Sequence, residues 1–152
     1  MSEVQTRMEN FRAEVFKAED RLRELEPVEL RYEHYFSHGV YARAMFIPAG
    51  TIVTGKIHKY TNLNVLLCGR LSVRTEKGII QVKPPFVVVS PPGTKRIAYA
   101  HEDSIWLTIH GTEETDVEKI ERKFVAQTEQ EFLEFCEQQK LVDKEALWLG
   151  ER

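Results

Sequence analysis

His58, Tyr60, Asn62 and Asn64 stand at alternate positions of one stretch. Successive side chains of an extended strand point to opposite faces, so this spacing gathers an imidazole, a phenol and two carboxamides on one side. The asparagines offer paired donors and acceptors for the edge of a planar molecule. Lys95 and Arg96 follow Pro91-Pro92-Gly93-Thr94. A guanidinium at that place forks a carboxylate or phosphate, and Lys95 adds charge beside it. Trp106, Thr108 and His110 share one strand face, with Ile105, Leu107 and Ile109 on the other. There Trp106 offers a surface on which a base or sugar ring stacks.

Each of these residues also has a plainer reading. Arg96 could close an ion pair with one of the chain's many carboxylates, and His58 could be a satisfied wall histidine. Tyr60 and Trp106 could be core packing. His101, Glu102 and Asp103 are adjacent in a turn, where side chains more often face solvent. His34 and His38 carry no recognisable ligand spacing, although spacing alone leaves open an unconventional metal site that uses His58, His101 or His110.

The elements that must position these groups fall into three regions. Val4, Met8, Phe11, Val15, Ala18, Leu22 and Leu25 recur in steps of four and three, which predicts one helix over 2–25, closed by Glu26-Pro27. That seam packs either on its own domain or on a partner subunit. Residues 28–111 read as many short strands, one of them spanning 51–59. They are divided by turn signals at His38-Gly39, Pro48-Ala49-Gly50, Cys68-Gly69, Lys77-Gly78, Pro84-Pro85 and Pro91-Pro92-Gly93. This spacing without intervening helices favours a sandwich or barrel. Residues 112–152 turn helical again: Val117, Ile120 and Phe124 share a face, and a capping box at Thr128–Glu131 opens a second helix. Leu147, Trp148 and Leu149 are placed to dock on the barrel or on a neighbour. The expected division is therefore 1–27 helix, 28–111 barrel and 112–152 helical segment.

From Ile47 to His110 the chain resembles the cupin superfamily. The matching text of the first motif is Pro48-Ala49-Gly50-Thr51, His58-Lys59-Tyr60, Asn64 and Gly69; that of the second is Pro91 to Arg96. The resemblance implies a mainly β fold, a single jelly-roll barrel with added N-terminal and C-terminal helices. It also implies that His58, Tyr60, Asn62, Asn64 and Arg96 face the lumen, with Trp106 and His110 within reach. Metal cupins use three histidines and a glutamate. Here Tyr60, Asn64 and Arg96 stand where the second histidine, the glutamate and the last histidine belong, so no metal and no cofactor is expected. The phrases Gly55-Lys56-Ile57-His58, Asn62-Leu63-Asn64, Ser90 to Arg96, Tyr99 to Asp103 and Trp106 to His110 are also similar to cupin-like proteins of bacteriophages. That likeness implies a viral origin and no mechanism.

Three functions fit. The first is a metal-free binding module for a small anionic or nucleotide-like ligand, which in a phage could blunt host defence signalling. The second is a metal-independent isomerase, epimerase or lyase using His58 and Tyr60. The third is a structural or assembly protein. Composition narrows the partners: a net charge of −3 argues against a general nucleic-acid binder. Cys68 and Cys136 form no CxxC pattern and read as reduced thiols. Neither a signal-peptide pattern nor an apolar run of membrane-spanning length is present, so the expected location is cytoplasmic, the host cytoplasm for a phage protein. The heptad seam predicts a homo-oligomer.

Overall fold

The computed structural model describes residues 2–148, with side chains described up to residue 146. The side chains of Leu147 and Trp148, and the whole of Leu149, lie outside that range. Helix α1 spans Glu3–Leu22. The strands are β1 Arg31–Ser37, β2 Val40–Ile47, β3 Ile52–Thr54, β4 Ile57–His58, β5 Asn62–Cys68, β6 Leu71–Thr75, β7 Gly78–Val82, β8 Phe86–Ser90, β9 Ile97–Ala100 and β10 Ser104–Gly111. Helix α2 Val117–Phe124, the two-residue strand β11 Val125–Ala126 and helix α3 Glu129–Trp148 complete the chain.

Two antiparallel sheets face each other, in the orders β1-β2-β10-β5-β8 and β3-β9-β6-β7. Without β1, the alternation of strands between the two sheets is that of a jelly roll, the double Greek key expected of a cupin-type barrel. The fold is mainly β, with helices added at both ends. Turn glycines carry part of it. Gly69 has φ +92°, and a Cβ there would collide with Ser104, so the turn between β5 and β6 admits no other residue without a shift. One end of the barrel is filled by Ile47, Val53, Leu66, Leu71, Val73, Val82 and Ala100. The opposite end is roofed by α2, whose Ile120 and Phe124 bury against Tyr41 and Val125.

The stretch 51–59, expected as one strand, is two. The chain breaks at Gly55, whose N–H donates to the Arg96 carbonyl at 2.8 Å, and β4 then pairs with β11 instead of continuing along β9.

Helix α1 is opened by a reciprocal capping box between Ser2 and Gln5. It ends at Leu22, three residues short of the expected 25. The middle of its seam, Phe11 and Val15, is buried against its own chain, whereas Val4 and Leu25 at the ends are exposed. The latch is polar. Arg12, 5% exposed, donates to both carboxylate oxygens of Glu129 on α3 at 2.7 Å and to the Gly93 carbonyl at 3.1 Å, and it lies over the Phe132 ring. Both helices are thereby tied to the loop that carries Arg96. Arg12→Ala leaves Glu129 and the Gly93 carbonyl without their donor, and should lower unfolding free energy by about 3 kcal/mol. Urea denaturation checks this; a loss under about 1 kcal/mol would show that the latch contributes little.

Candidate functional site

A cavity of about 440 Å³ lies between the two sheets under α2. Strand β2 supplies Tyr41, Arg43, Met45 and Ile47 to it at a strict period of two. Register then carries one polar row across the sheet: His34 opposite Arg43, Arg43 opposite Thr108, Thr108 opposite Asn64. All four line the cavity. Arg96, Ala98 and Val73 face this row from the second sheet, and His58 sits where β4 meets the roof.

Asn64 is the hub of the wall and is 2% exposed. Its amide donates to Asn62 Oδ1 and Ser90 Oγ, both at 2.7 Å. Its carbonyl oxygen accepts from Thr108 Oγ1 at 2.9 Å and Trp106 Nε1 at 3.2 Å. All four of its hydrogen-bonding sites are used, so Asn64 shapes the cavity and has no free donor or acceptor for a ligand. The Trp106 ring, its N–H spent on Asn64, tilts against Phe86 at 6.1 Å between centroids.

His58 and His110 lie face to face, 5.7 Å between ring centroids, and His110 packs on Phe124 at 4.5 Å. Neither Nδ1 atom has a hydrogen-bond partner among the described residues. Burial, then the neighbouring His110, Arg43 and Arg96, push the His58 pKa down to about 3; burial and Arg43 push His110 down to about 4. Both rings are therefore neutral at physiological pH. His34 Nδ1 lies 2.6 Å from the Tyr41 hydroxyl, and burial raises the Tyr41 pKa, which keeps the phenol protonated.

The charges of the cavity are cationic. Arg43 and Arg96 both line it, and neither reaches a carboxylate within ion-pair distance among the described residues. Arg43 instead lies 5.3 Å from the centroid of Tyr32, and burial draws the Arg96 pKa down from its ordinary value. Glu121 is the only carboxylate among the described lining residues, and Lys56 pairs with it at the mouth.

Of the residues singled out in the sequence, His58, Asn64, Arg96 and Trp106 meet at the cavity. Tyr60, Asn62, Lys95 and His110 are not among its lining residues. The chain bends after His58, so alternation fails at Tyr60, whose ring packs on Phe124 and Phe135 at 5.5 and 5.2 Å. Asn62 is buried behind Asn64 and donates to the Tyr60 carbonyl. Lys95 points opposite to Arg96, away from the mouth; its Nζ donates to Glu19 Oε1 and the Gly55 carbonyl, both at 2.7 Å, and anchors α1. His110 stands behind His58. In the turn, His101 is hydrogen-bonded to Ser72, and Asp103 accepts from the Ala49 N–H. Arg43 and His34 were not foreseen as cavity residues. The available signal for Arg43 was a charge inside the alternation Tyr41, Arg43, Met45, Ile47.

The donors present do not fit a metal ion of the usual cupin type. Of the four usual cupin ligand positions only His58 carries a histidine, the Asn64 oxygen already accepts two hydrogen bonds, and two guanidiniums share the space. No cluster of three histidine, cysteine or carboxylate side chains suited to a metal occurs among the described residues.

No protein-family model matches the chain, and no curated protein matches it. Among solved structures, it is similar to KdgF from Halomonas sp., at 18% identity over 60% of this chain and 88% of that one, with a TM-score of 0.49. It is similar also to an RmlC-like cupin from Shewanella frigidimarina, at 16% identity over 59% and 84%, TM-score 0.48. A cupin superfamily protein from Desulfitobacterium hafniense matches at 14% over 59% and 83%, TM-score 0.47. Likeness of this degree says nothing of activity. No helix among the described residues is long and apolar enough to cross a membrane.

Proposed function

We propose that this protein is a metal-independent binding module that captures a small anionic ligand in the barrel. The observation that carries this reading is the pair Arg43 and Arg96, two guanidiniums that have no carboxylate within ion-pair distance among the described residues and that line one cavity beside neutral His58. Both guanidiniums are only partly buried, so each keeps some water, and an anion entering between them would replace that water with charge-assisted hydrogen bonds. The unpartnered Nδ1 of His58 is a further polar atom that a ligand could satisfy. A cavity of this size suits a nucleotide fragment or sugar phosphate. The phage origin, and a role in withholding nucleotide signals from host defence, belong to the same proposal. They rest on the sequence phrases alone.

An enzymatic reading has its own observation. His58 and Tyr60 are not brought together at the cavity, but His34 and Tyr41 are, within hydrogen-bond distance. A lyase or isomerase of this chain would use Tyr41 as its acid.

Calorimetry with a panel of nucleotides and sugar phosphates tests the binding reading. Arg43→Ala and Arg96→Ala should each weaken the best binder about ten- to a hundredfold, and Arg96→Lys should recover part of the loss, since an ammonium lacks the planar fork. Equal affinity in parent and variants, or no binding by any member of the panel, would overturn it.

A further inference from the structure

The cavity is layered, and its layers follow from strand register. Under the α2 roof comes the polar row of Arg43, Thr108 and Asn64, with Arg96 facing it from the second sheet. Two residues further along their strands, Met45 pairs with Trp106, and Val53, Ala98 and Val73 form one row of the second sheet. Beyond them Ile47 and Leu71 close the floor. From Arg43 to Ile47 the chain advances about 13 Å, at about 3.3 Å per residue. The exposed lining residues are Tyr32 and His34 on β1 and Lys56 just after β3, so the mouth opens between these two edge strands.

Polar groups stop at the arginine row. Below it, among the described lining residues, the one side-chain N–H or O–H is that of Trp106, which donates to Asn64 at 3.2 Å. The strands that carry Met45, Trp106, Ala98 and Val73 each lie between two others, so their main-chain groups are paired as well. Met45, Trp106 and Ala98 face inward yet are only half-buried, which leaves apolar surface for a ligand to cover.

We propose that the ligand of this barrel is an amphipathic anion, a carboxylate or phosphate head on an apolar body, with the head at Arg43 and Arg96 and the body on the row of Met45, Trp106, Val53 and Ala98. This rests on the reading of the barrel as an anion-binding module. Size alone admits a sugar phosphate, and the layering ranks it below an apolar acid. Each hydroxyl placed below the arginines loses its water and gains no partner, which costs roughly fivefold or more in affinity. A fully buried CH₂ instead strengthens binding about fourfold. A second charge at the far end of the body is disfavoured more strongly than a hydroxyl, because an ion without a partner is the costliest group to desolvate.

Calorimetry of the full chain with matched pairs of anions tests this. Phenyl phosphate should bind at least about thirtyfold more tightly than glucose 6-phosphate, which has the same head and four hydroxyls on its body. Hexanoate should bind about tenfold more tightly than butyrate, and at least about tenfold more tightly than adipate, which ends in a second carboxylate. Ala98→Leu extends a side chain into the row below Arg96 and should abolish the advantage of hexanoate over butyrate. Should that variant fail to fold, the ratios measured on the parent decide alone. Equal affinity for phenyl phosphate and glucose 6-phosphate, both weakened in Arg43→Ala, would overturn the amphipathic ligand and leave the anion module standing. A folded Ala98→Leu protein that keeps the parent's preference for hexanoate would also overturn it. Binding of none of these anions would overturn both readings.

Discussion

Asn64→Leu should lower the unfolding free energy by roughly 4–6 kcal/mol, the largest effect expected of any single substitution in the barrel wall. Leucine has the same branching and heavy-atom count as asparagine but bulkier methyl ends, so the change removes hydrogen bonds without opening a cavity. Four buried groups lose a partner at once: the Trp106 N–H, the Thr108 and Ser90 hydroxyls and the Asn62 carbonyl oxygen. An orphaned buried polar group costs about 1–3 kcal/mol, and the two hydroxyls can turn toward other acceptors, which keeps the sum near the lower end. Denaturant unfolding followed by fluorescence measures it, with Trp106 as a local reporter. A loss below about 1 kcal/mol would mean that the network rearranges around leucine and that Asn64 is not its hub.

The second large effect is one of pH. His58 and His110 titrate near 6.5 in the unfolded chain but only at about 3 and about 4 in the folded one. Below pH 6.5 the unfolded state therefore binds more protons than the folded state, and stability falls as pH falls. The contribution is fully present above pH 6.5, is lost progressively on acidification, and stops changing once the folded rings protonate. Between pH 6.5 and 5 each ring costs about 1.6 kcal/mol, so the pair costs about 3 kcal/mol. Urea midpoints at pH 7.5, 6 and 5 for the parent and for His58→Gln with His110→Gln isolate this from the carboxylates, which both proteins share. The double variant should show the flatter profile; parallel profiles would show that the two rings do not carry the acid sensitivity. An anion held by Arg43 and Arg96 should shield His58 from their repulsion and change the parent's profile, but not that of Arg43→Ala with Arg96→Ala.

Much of the architecture was legible because its causes are local. The glycines and prolines that divide the strands, the capping box that opens α3, and the alternation of β10 each act over a few residues. That Arg96 and Asn64 face the lumen was implied by the resemblance to the cupin motifs, and both line the cavity. The failures all required knowledge of distant chain. Tyr60 leaves the lumen because β4 is claimed by β11, which lies more than sixty residues further on, and the strand ends after two residues. Lys95 leaves it because α1 offers Glu19 as a partner. Arg43 and His34 enter it because β1 and β10 flank β2 in register.

The outer face of the sheet shows the limit most clearly. Ile105, Leu107 and Ile109 were read as one face of a strand, with Trp106, Thr108 and His110 on the other. Alternation separates two faces but does not say which is enclosed, since that depends on which strands pair alongside. When both faces are apolar enough to be buried, the sequence by itself determines the strand and its period. Tertiary structure alone decides that the Trp106 face closes on the barrel's own core, because only the pairing of β10 between β2 and β5 brings Trp106 and Thr108 to the cavity opposite the second sheet.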